Sequence, residues 1–132
     1  MIVLDASAVV DVLLDRSPYG ERLGELVSEH RDDLHAPHLI DAEIGQVLRR
    51  YVLREWLRPA RAFQAVDLLV DLRITRYPHL GLLHRAMQLR RNLTVYDGLY
   101  VALAEALDAP LLTRDAGIAR SAGRLVKVLH VG

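Results

Sequence analysis

The sequence contains no cysteine, and only one of its 17 basic residues is a lysine. Without thiols the chain can form neither a disulfide nor a thiolate metal site, and a cysteine nucleophile is also excluded. Oxygen and imidazole groups are therefore the only strong metal ligands available to it.

A basic leader and long apolar runs are also missing. Residues 1–5 carry no basic side chain, and Asp11 and Asp15 interrupt the apolar positions that follow. We therefore expect neither a signal peptide nor a membrane span, and we expect a cytoplasmic protein that does not bind membranes.

The sequence also has no net charge, because 17 acidic residues balance 17 basic ones. The overall field of the protein would not attract a nucleic acid, so any such binding must depend on a local patch. The length of 132 residues and the 52% apolar content predict one folded domain over residues 1–132, with one core.

Short β-rich runs alternate with longer segments of helical periodicity. Strands are predicted at 2–5, 34–36, 72–77, 111–113 and 125–131. Helices are predicted at 6–14, 23–30, 38–54, 79–91, 96–107 and 115–122, with a break at Ser17 and Pro18. A further helix is predicted to start at Pro59 and to bury a stripe formed by Phe63, Val66, Leu69 and Val70. This alternation predicts an α/β fold of three α/β/α layers around a central parallel sheet of four or five strands. Ligands bind such sheets at the carboxyl ends of the strands.

Four acidic residues stand where such a site would form. Asp5 ends the first strand and Asp115 follows the strand at 111–113, so both should emerge at the same sheet edge. Asp97 lies in the first turn of an apolar helix, and Glu43 lies about one turn into another. Carboxylates that converge repel one another unless a cation neutralises them, and oxygen ligands favour Mg²⁺ or Mn²⁺. Such a site suits phosphodiester hydrolysis.

Each acid also has a simpler interpretation. Asp5, Asp97 and Asp115 all stand at predicted helix starts, where an acidic side chain commonly caps the helix or faces its dipole. Glu43 could be a solvated residue of a helix surface. The combination of the four, rather than any one of them, carries the hypothesis.

The sequence around these acids resembles the PIN-domain ribonucleases, and in particular the VapC toxins of VapBC toxin–antitoxin pairs. The segments that carry the resemblance are Val3-Leu4-Asp5-Ala6-Ser7, Asp41-Ala42-Glu43-Ile44, the block from Tyr96-Asp97-Gly98 to Ala104, and Leu112-Thr113-Arg114-Asp115. Their order and spacing, and the length of the chain, are similar to those of the family. The third and fourth segments are the most specific.

The resemblance implies a role for each matching residue. Asp5, Glu43, Asp97 and Asp115 correspond to the carboxylates that bind Mg²⁺ or Mn²⁺ and carry the catalysis. Ser7 and Thr113 match hydroxyl positions that orient a carboxylate or water, and we expect Arg114 to contact the substrate. The resemblance also implies an RNA substrate, products with 5′-phosphate and 3′-hydroxyl ends, a homodimer and a cognate VapB-type antitoxin.

The sequence leaves open two other classes of function and the role of one cluster of arginines. A catalytically silent PIN-like module would bind RNA or protein without metal. A phosphoryl-transfer protein would need a paired acid and a lysine near Asp5, but Ala6-Ser7-Ala8 follow that residue and Lys127 is the only lysine. Arginines cluster at positions 49–61, where they would form a solvated face, a dimer surface or an RNA contact.

Overall fold

The computed structural model describes residues 1–16 and 18–132; Ser17, and with it part of the predicted break, lies outside the described residues. The strands are β1 (Ile2–Leu4), β2 (Leu34–Pro37), β3 (Ile74–Tyr77), β4 (Leu111–Thr113) and β5 (Val128–His130). The α-helices of this described part are α1 (Ala6–Leu13), α2 (Gly20–Glu29), α3 (Leu39–Leu53), α4 (Pro59–Asp71), α5 (Leu83–Gln88), α6 (Val95–Leu107) and α7 (Ala116–Ala122).

The five strands described form one parallel sheet in the order β3-β2-β1-β4-β5. From β1 the chain moves outward to β2 and β3, and it then returns to the other side of β1 to form β4 and β5. The direction of the crossovers therefore reverses between β1 and β4. A crevice opens outside the carboxyl ends of the strands at such a switch point, and this is where parallel sheets bind ligands.

The reversal also distributes the helices between the two faces. Because crossovers between parallel strands are right-handed, α1 to α4 cover one face and α5 to α7 cover the other. The prediction of a three-layer α/β/α fold with four or five parallel strands is confirmed.

The helix α6 lies in the core. Its residues 98–104 are all buried, and Tyr100 is among the largest fully buried side chains of the described residues. A Cβ at Gly98 would lie 3.3 Å from both the Cα and the Cβ of Ala86, so glycine allows α5 to approach α6 closely. This close packing fixes the start of α6, and therefore the position of Asp97.

The prediction for the buried stripe of α4 was mostly wrong. Phe63 and Val70 are 73% and 74% exposed, whereas Ala65 and Leu69 are buried. The large apolar residues of a helix attract attention in a sequence, but the small side chain of Ala65 is what allows α4 to pack closely. Phe63 instead lines an open apolar cleft with residues of α3.

The remaining differences concern element bounds. The predicted helix at 79–91 consists of a 3₁₀ turn at Leu80–Leu82 followed by the short α5. The strands β3 and β5 are shorter than predicted because Leu72 caps α4 and because the backbone pairs with β4 only from Val128. None of the helices in the ranges 1–16 and 18–132 has the combined length and apolar character that crossing a bilayer requires.

Candidate active site

Asp5 lies at the switch point, directly after β1. Its backbone N–H donates to the carbonyl of Leu112 at 3.0 Å, which ties it to the neighbouring strand β4. It occupies the N-cap position of α1, but its side chain makes no capping hydrogen bond. The interpretation of Asp5 as a simple helix cap is therefore not supported, and its carboxylate is directed to other partners.

Two hydroxyl groups hold the Asp5 carboxylate. Ser7 Oγ and Thr113 Oγ1 each donate to Asp5 Oδ2 at 2.7 Å, and Thr113 is fully buried. Burial raises the pKa of Asp5, these two hydrogen bonds partly lower it, and the charge of Asp115 raises it further. The hydroxyls thus fix one oxygen of an acid that burial makes costly to ionise.

Asp115 lies immediately beyond β4, on the strand beside β1. Its Oδ1 accepts hydrogen bonds from the backbone N–H groups of Gly117 at 2.7 Å and Ile118 at 3.2 Å, so it caps α7. Its own N–H donates to Thr113 Oγ1 at 2.9 Å. The cap interpretation is correct for this residue, and the same contacts hold its carboxylate at the crevice.

Asp97 enters the site from the opposite helical layer. Thr94 caps α6 by accepting a hydrogen bond from the backbone N–H of Asp97 at 3.1 Å. Burial raises the pKa of the Asp97 carboxyl to about 6, with further contributions from the charges of Asp5, Asp115 and Glu43. Three other acids therefore act on Asp97 at once.

Glu43 completes the group from α3. It is half-buried, and its Oε1 accepts a 2.6 Å hydrogen bond from the hydroxyl of the buried Tyr100. Burial raises the pKa of Glu43, the bond from Tyr100 lowers it, and the charge of Asp5 raises it. Glu43 is thus a partly desolvated, oriented acid rather than a solvated surface residue.

The structure places the four predicted acids in one region, since the charges of the other three all raise the pKa of Asp97. Over residues 1–16 and 18–132, however, no three such groups stand close enough to form a ready-made metal centre. Mg²⁺ typically takes one or two carboxylates and keeps several waters, so a closed cage is not needed.

The residues present fit a hard divalent cation. The donors are oxygens only, which suits Mg²⁺ and Mn²⁺. The pKa values of Asp5, Glu43 and Asp97 are all raised, so ionising these groups costs free energy that a nearby cation would recover.

Replacing Thr113 with valine should test how far the hydroxyls prepare this site. Valine keeps the shape but leaves Asp5 with one hydroxyl donor and leaves the N–H of Asp115 without its acceptor. We expect Thr113→Val to weaken Mn²⁺ binding by about 10- to 100-fold and to lower the free energy of unfolding by about 1–3 kcal/mol. Calorimetry and urea unfolding would measure the two effects. Thr113→Ser keeps the hydroxyl and is the control; equal Mn²⁺ affinity in the valine and serine variants would contradict this account.

Arg114 is engaged in a separate set of contacts. Its guanidinium pairs with Asp11 at 2.5 Å, stacks on the ring of Tyr19 at 4.0 Å and donates to the carbonyl of Val131 at 3.3 Å. Its predicted contact with the substrate stays a prediction. To make that contact, the guanidinium would have to leave the buried carboxylate of Asp11.

Sequence reasoning missed two residues that support the site. Tyr100 stands within the third segment of the resemblance but has no predicted role, although its place three residues after Asp97 puts both on the same helical side. Asp11 was noted only as an interruption of apolar positions. An acid in the middle of a buried helix was the available signal, because such a group is buried only with a partner.

Comparison with known proteins agrees with this geometry. A family model described as PIN domain matches residues 2–124. The chain is similar to Ribonuclease VapC1 of Mycobacterium tuberculosis, with 47% identity over 92% of this chain and 90% of that protein. It is also similar to Ribonuclease VapC9 of the same organism, with 44% identity over 87% and 86%.

A solved structure with the same fold is that of VapBC2 from Rickettsia felis, bound to a DNA fragment from their promoter. Its TM-score is 0.71 and its sequence identity is 12%, with 98% of both chains covered. The family match spans nearly the whole chain, and it includes all four acids at the switch point. The chain therefore belongs to the PIN-domain family, among relatives that are VapC ribonucleases.

Proposed function

We propose that this chain is an endoribonuclease dependent on Mg²⁺ or Mn²⁺, and that it is the toxin of a type II toxin–antitoxin pair. One observation carries the proposal. Carboxyl groups from four distant segments meet at the switch point of the sheet, where burial and mutual repulsion raise the pKa of three of them. The kinship with VapC ribonucleases supports RNA as the substrate.

Each side chain has a distinct part in the proposed mechanism. The cation would be held by Asp5, Asp97, Asp115 and Glu43. Ser7 and Thr113 fix one oxygen of Asp5, and Tyr100 orients Glu43. The bound cation would activate a water and stabilise charge on the attacked phosphate and the leaving oxygen. When water attacks phosphorus in line with the P–O3′ bond, that bond breaks, so one product carries a 5′-phosphate and the other leaves with its 3′-oxygen, which becomes a 3′-hydroxyl.

The proposal includes partners. The Rickettsia felis structure contains VapBC2 on promoter DNA, and the shared fold supports a cognate VapB-type antitoxin for this chain. We also propose that the chain forms a homodimer. Size-exclusion chromatography with light scattering of the purified protein would measure that state.

Product analysis tests the proposed reaction. We expect the purified protein to cleave RNA with Mg²⁺ or Mn²⁺, to stop when a chelator is added, and to release fragments that a 5′-phosphate-dependent exonuclease degrades. Products with 2′,3′-cyclic phosphate ends would instead show attack by the ribose hydroxyl. That result, or cleavage that persists in chelator, would contradict the proposal.

The alternative of a phosphoryl-transfer protein receives no support from the geometry. Lys127 directly precedes β5 and so lies at the amino-terminal edge of the parallel sheet, opposite to the edge that carries Asp5. A lysine there cannot assist chemistry at the switch point. The catalytically silent alternative would be favoured only if calorimetry detected no binding of Mg²⁺ or Mn²⁺.

A further inference from the structure

The tip of the α3–α4 hairpin concentrates positive charge that the proposed mechanism does not use, although the hairpin as a whole, residues 39–71, is neutral. Residues 44–66 contain five arginines and a single acid, Glu55, although the chain as a whole is neutral. Six of the eleven arginines outside this segment form ion pairs in the described part of the chain, for example Arg76 with Asp41 and Arg85 with Glu105. None of the five hairpin arginines forms an ion pair within the described residues, so their charges are available to a ligand.

Aromatic rings alternate with arginines at the tip of this hairpin. Arg16 lies over the ring of Tyr51 and Arg54 lies over the ring of Trp56, each at 4.9 Å from the ring centre. The two rings are themselves 5.8 Å apart. Trp56 is 64% exposed, and Arg54 is exposed as well. Arg16 is half-exposed, and its guanidinium also lies 3.9 Å from the carboxylate of Asp11.

Of these residues, Arg16, Tyr51 and Trp56 also line a concave surface, whereas Arg54 lies outside it. A cleft of about 190 Å³ is lined by Arg16, Tyr51, Trp56 and Arg61, and an adjoining one of about 730 Å³ shares Trp56 and Arg61 with it. Glu55 also lines the larger cleft, where cations still outnumber it. The surface is therefore cationic, aromatic and recessed.

Helix geometry connects this surface to the acidic site. Arg50 and Arg54 follow Glu43 by seven and eleven residues, which places them within about 20° of its direction around α3 and about 10 and 16 Å further along the axis. Arg49 points about 120° away from Glu43 and lines the apolar cleft with Phe63. Only part of the predicted arginine cluster thus lies on the side of the acids.

We propose that this surface binds the single-stranded RNA that extends away from the scissile phosphate, with the arginines on successive phosphates and Trp56 stacked on a base. We call it the arginine–aromatic face; it comprises Arg16, Arg50, Tyr51, Arg54, Trp56 and Arg61. The inference rests on the proposed function, because it supplies the track for the strand that the acids cut. Alternating cations and exposed rings match the repeating phosphates and bases of a single strand.

Salt dependence of RNA binding tests the role of the arginines. Fluorescence anisotropy would measure the binding of a short fluorescein-labelled single-stranded RNA, with chelator present to prevent cleavage. Each phosphate contact adds about 0.7 to the slope of log affinity against log salt, so Arg50→Ala/Arg54→Ala should lower the slope by about 1.4. Between about 50 and 200 mM salt the wild type should lose about sevenfold more affinity than this variant does. The matched control, Arg49→Ala/Arg124→Ala, removes two exposed charges elsewhere and should keep the wild-type slope.

A second pair of variants isolates stacking from charge. Trp56→Ala should weaken RNA binding by about 5- to 150-fold with no change in the salt slope, because the ring carries no charge. Phe63→Ala removes an exposed aromatic residue of the apolar cleft and should leave the affinity unchanged. Trp56→Phe keeps an aromatic ring and should restore part of the affinity. If Trp56→Ala instead weakened binding by disturbing the fold, it would also lower the free energy of unfolding.

The outcomes separate this inference from the proposed function. Because binding is measured with chelator present, the difference in salt slope between the two double variants can be observed even if the protein does not cleave RNA. Cleavage together with equal slopes in the two double variants would overturn the inference and leave the nuclease intact. Weaker binding of an acidic peptide by Arg50→Ala/Arg54→Ala, with RNA binding unchanged, would identify a protein-docking face and would also overturn it.

Discussion

Asp97→Asn is expected to reduce RNA cleavage by about 10³-fold or more. Asp97 is the acid on which the charges of Asp5, Asp115 and Glu43 all act, so its carboxylate stands within the field of the whole group. Asparagine keeps the size of the side chain but removes the charge that helps to hold a cation. The cation contributes several kcal/mol of transition-state stabilisation in such reactions, and each 1.4 kcal/mol is about a factor of ten in rate.

A matched control lies at the other end of the same helix. Asp108 follows α6 in the left-handed conformation, with φ of 50°, which asparagine also adopts readily. Asp108→Asn should therefore cleave RNA like the wild type. Circular dichroism would confirm that both variants fold, and cleavage by Asp97→Asn at the rate of Asp108→Asn would contradict a role of Asp97 in the reaction.

The metal-free protein should lose stability as the pH rises from about 4 to about 6. The folded state binds the Asp97 proton more tightly than the unfolded chain does, since the pKa is raised from 3.8 to about 6. The penalty is absent below the unfolded pKa and complete above the folded one. The shift of about two units corresponds to at most about 3 kcal/mol, and solvent screening of this half-buried group reduces it to about 1–2 kcal/mol. The raised pKa values of Asp5 and Glu43 act in the same direction.

Urea unfolding in chelator, at several pH values, measures this effect. Asp97→Asn should be more stable than the wild type above about pH 6 and should show a smaller loss across the window. Mg²⁺ should reverse the order, because a ligand present at 100 times its Kd stabilises the wild type by about 2.7 kcal/mol. The lowered pKa of Asp33 acts in the opposite direction in both proteins, so their comparison isolates Asp97. Equal stability of the wild type and Asp97→Asn above about pH 6 in chelator would contradict the repulsion among the acids.

The positions of the acids could be predicted from the sequence because each marks the end of a strand or the start of a helix. Short apolar runs before Asp5 and Asp115 identify parallel strands, and the parallel arrangement then requires both acids to emerge at one edge. The family motifs add Asp97 and Glu43 to the predicted site. Helix periodicity alone could not distinguish these two acids from solvated residues. The extent of one domain over residues 1–132 stays a prediction.

The supporting contacts could not be predicted, because they depend on side chains that meet only after folding. The hydrogen bond from Tyr100 to Glu43 joins residues 57 positions apart, and the pair of Arg114 with Asp11 joins residues 103 apart. Local patterns contain no information on such contacts. The same reason explains the error in α4, where Ala65 rather than Phe63 packs inward.

The measurement that tests the central claim most directly is the anomalous scattering of Mn²⁺ in crystals of the wild-type protein. We expect a peak at the carboxyl edge of β1 and β4, within coordination distance of oxygens of Asp5 and Asp97, and no such peak in Asp97→Asn. Mn²⁺ that binds only elsewhere on the wild-type chain, or that binds the asparagine variant equally well at this edge, would contradict a metal centre built by these acids.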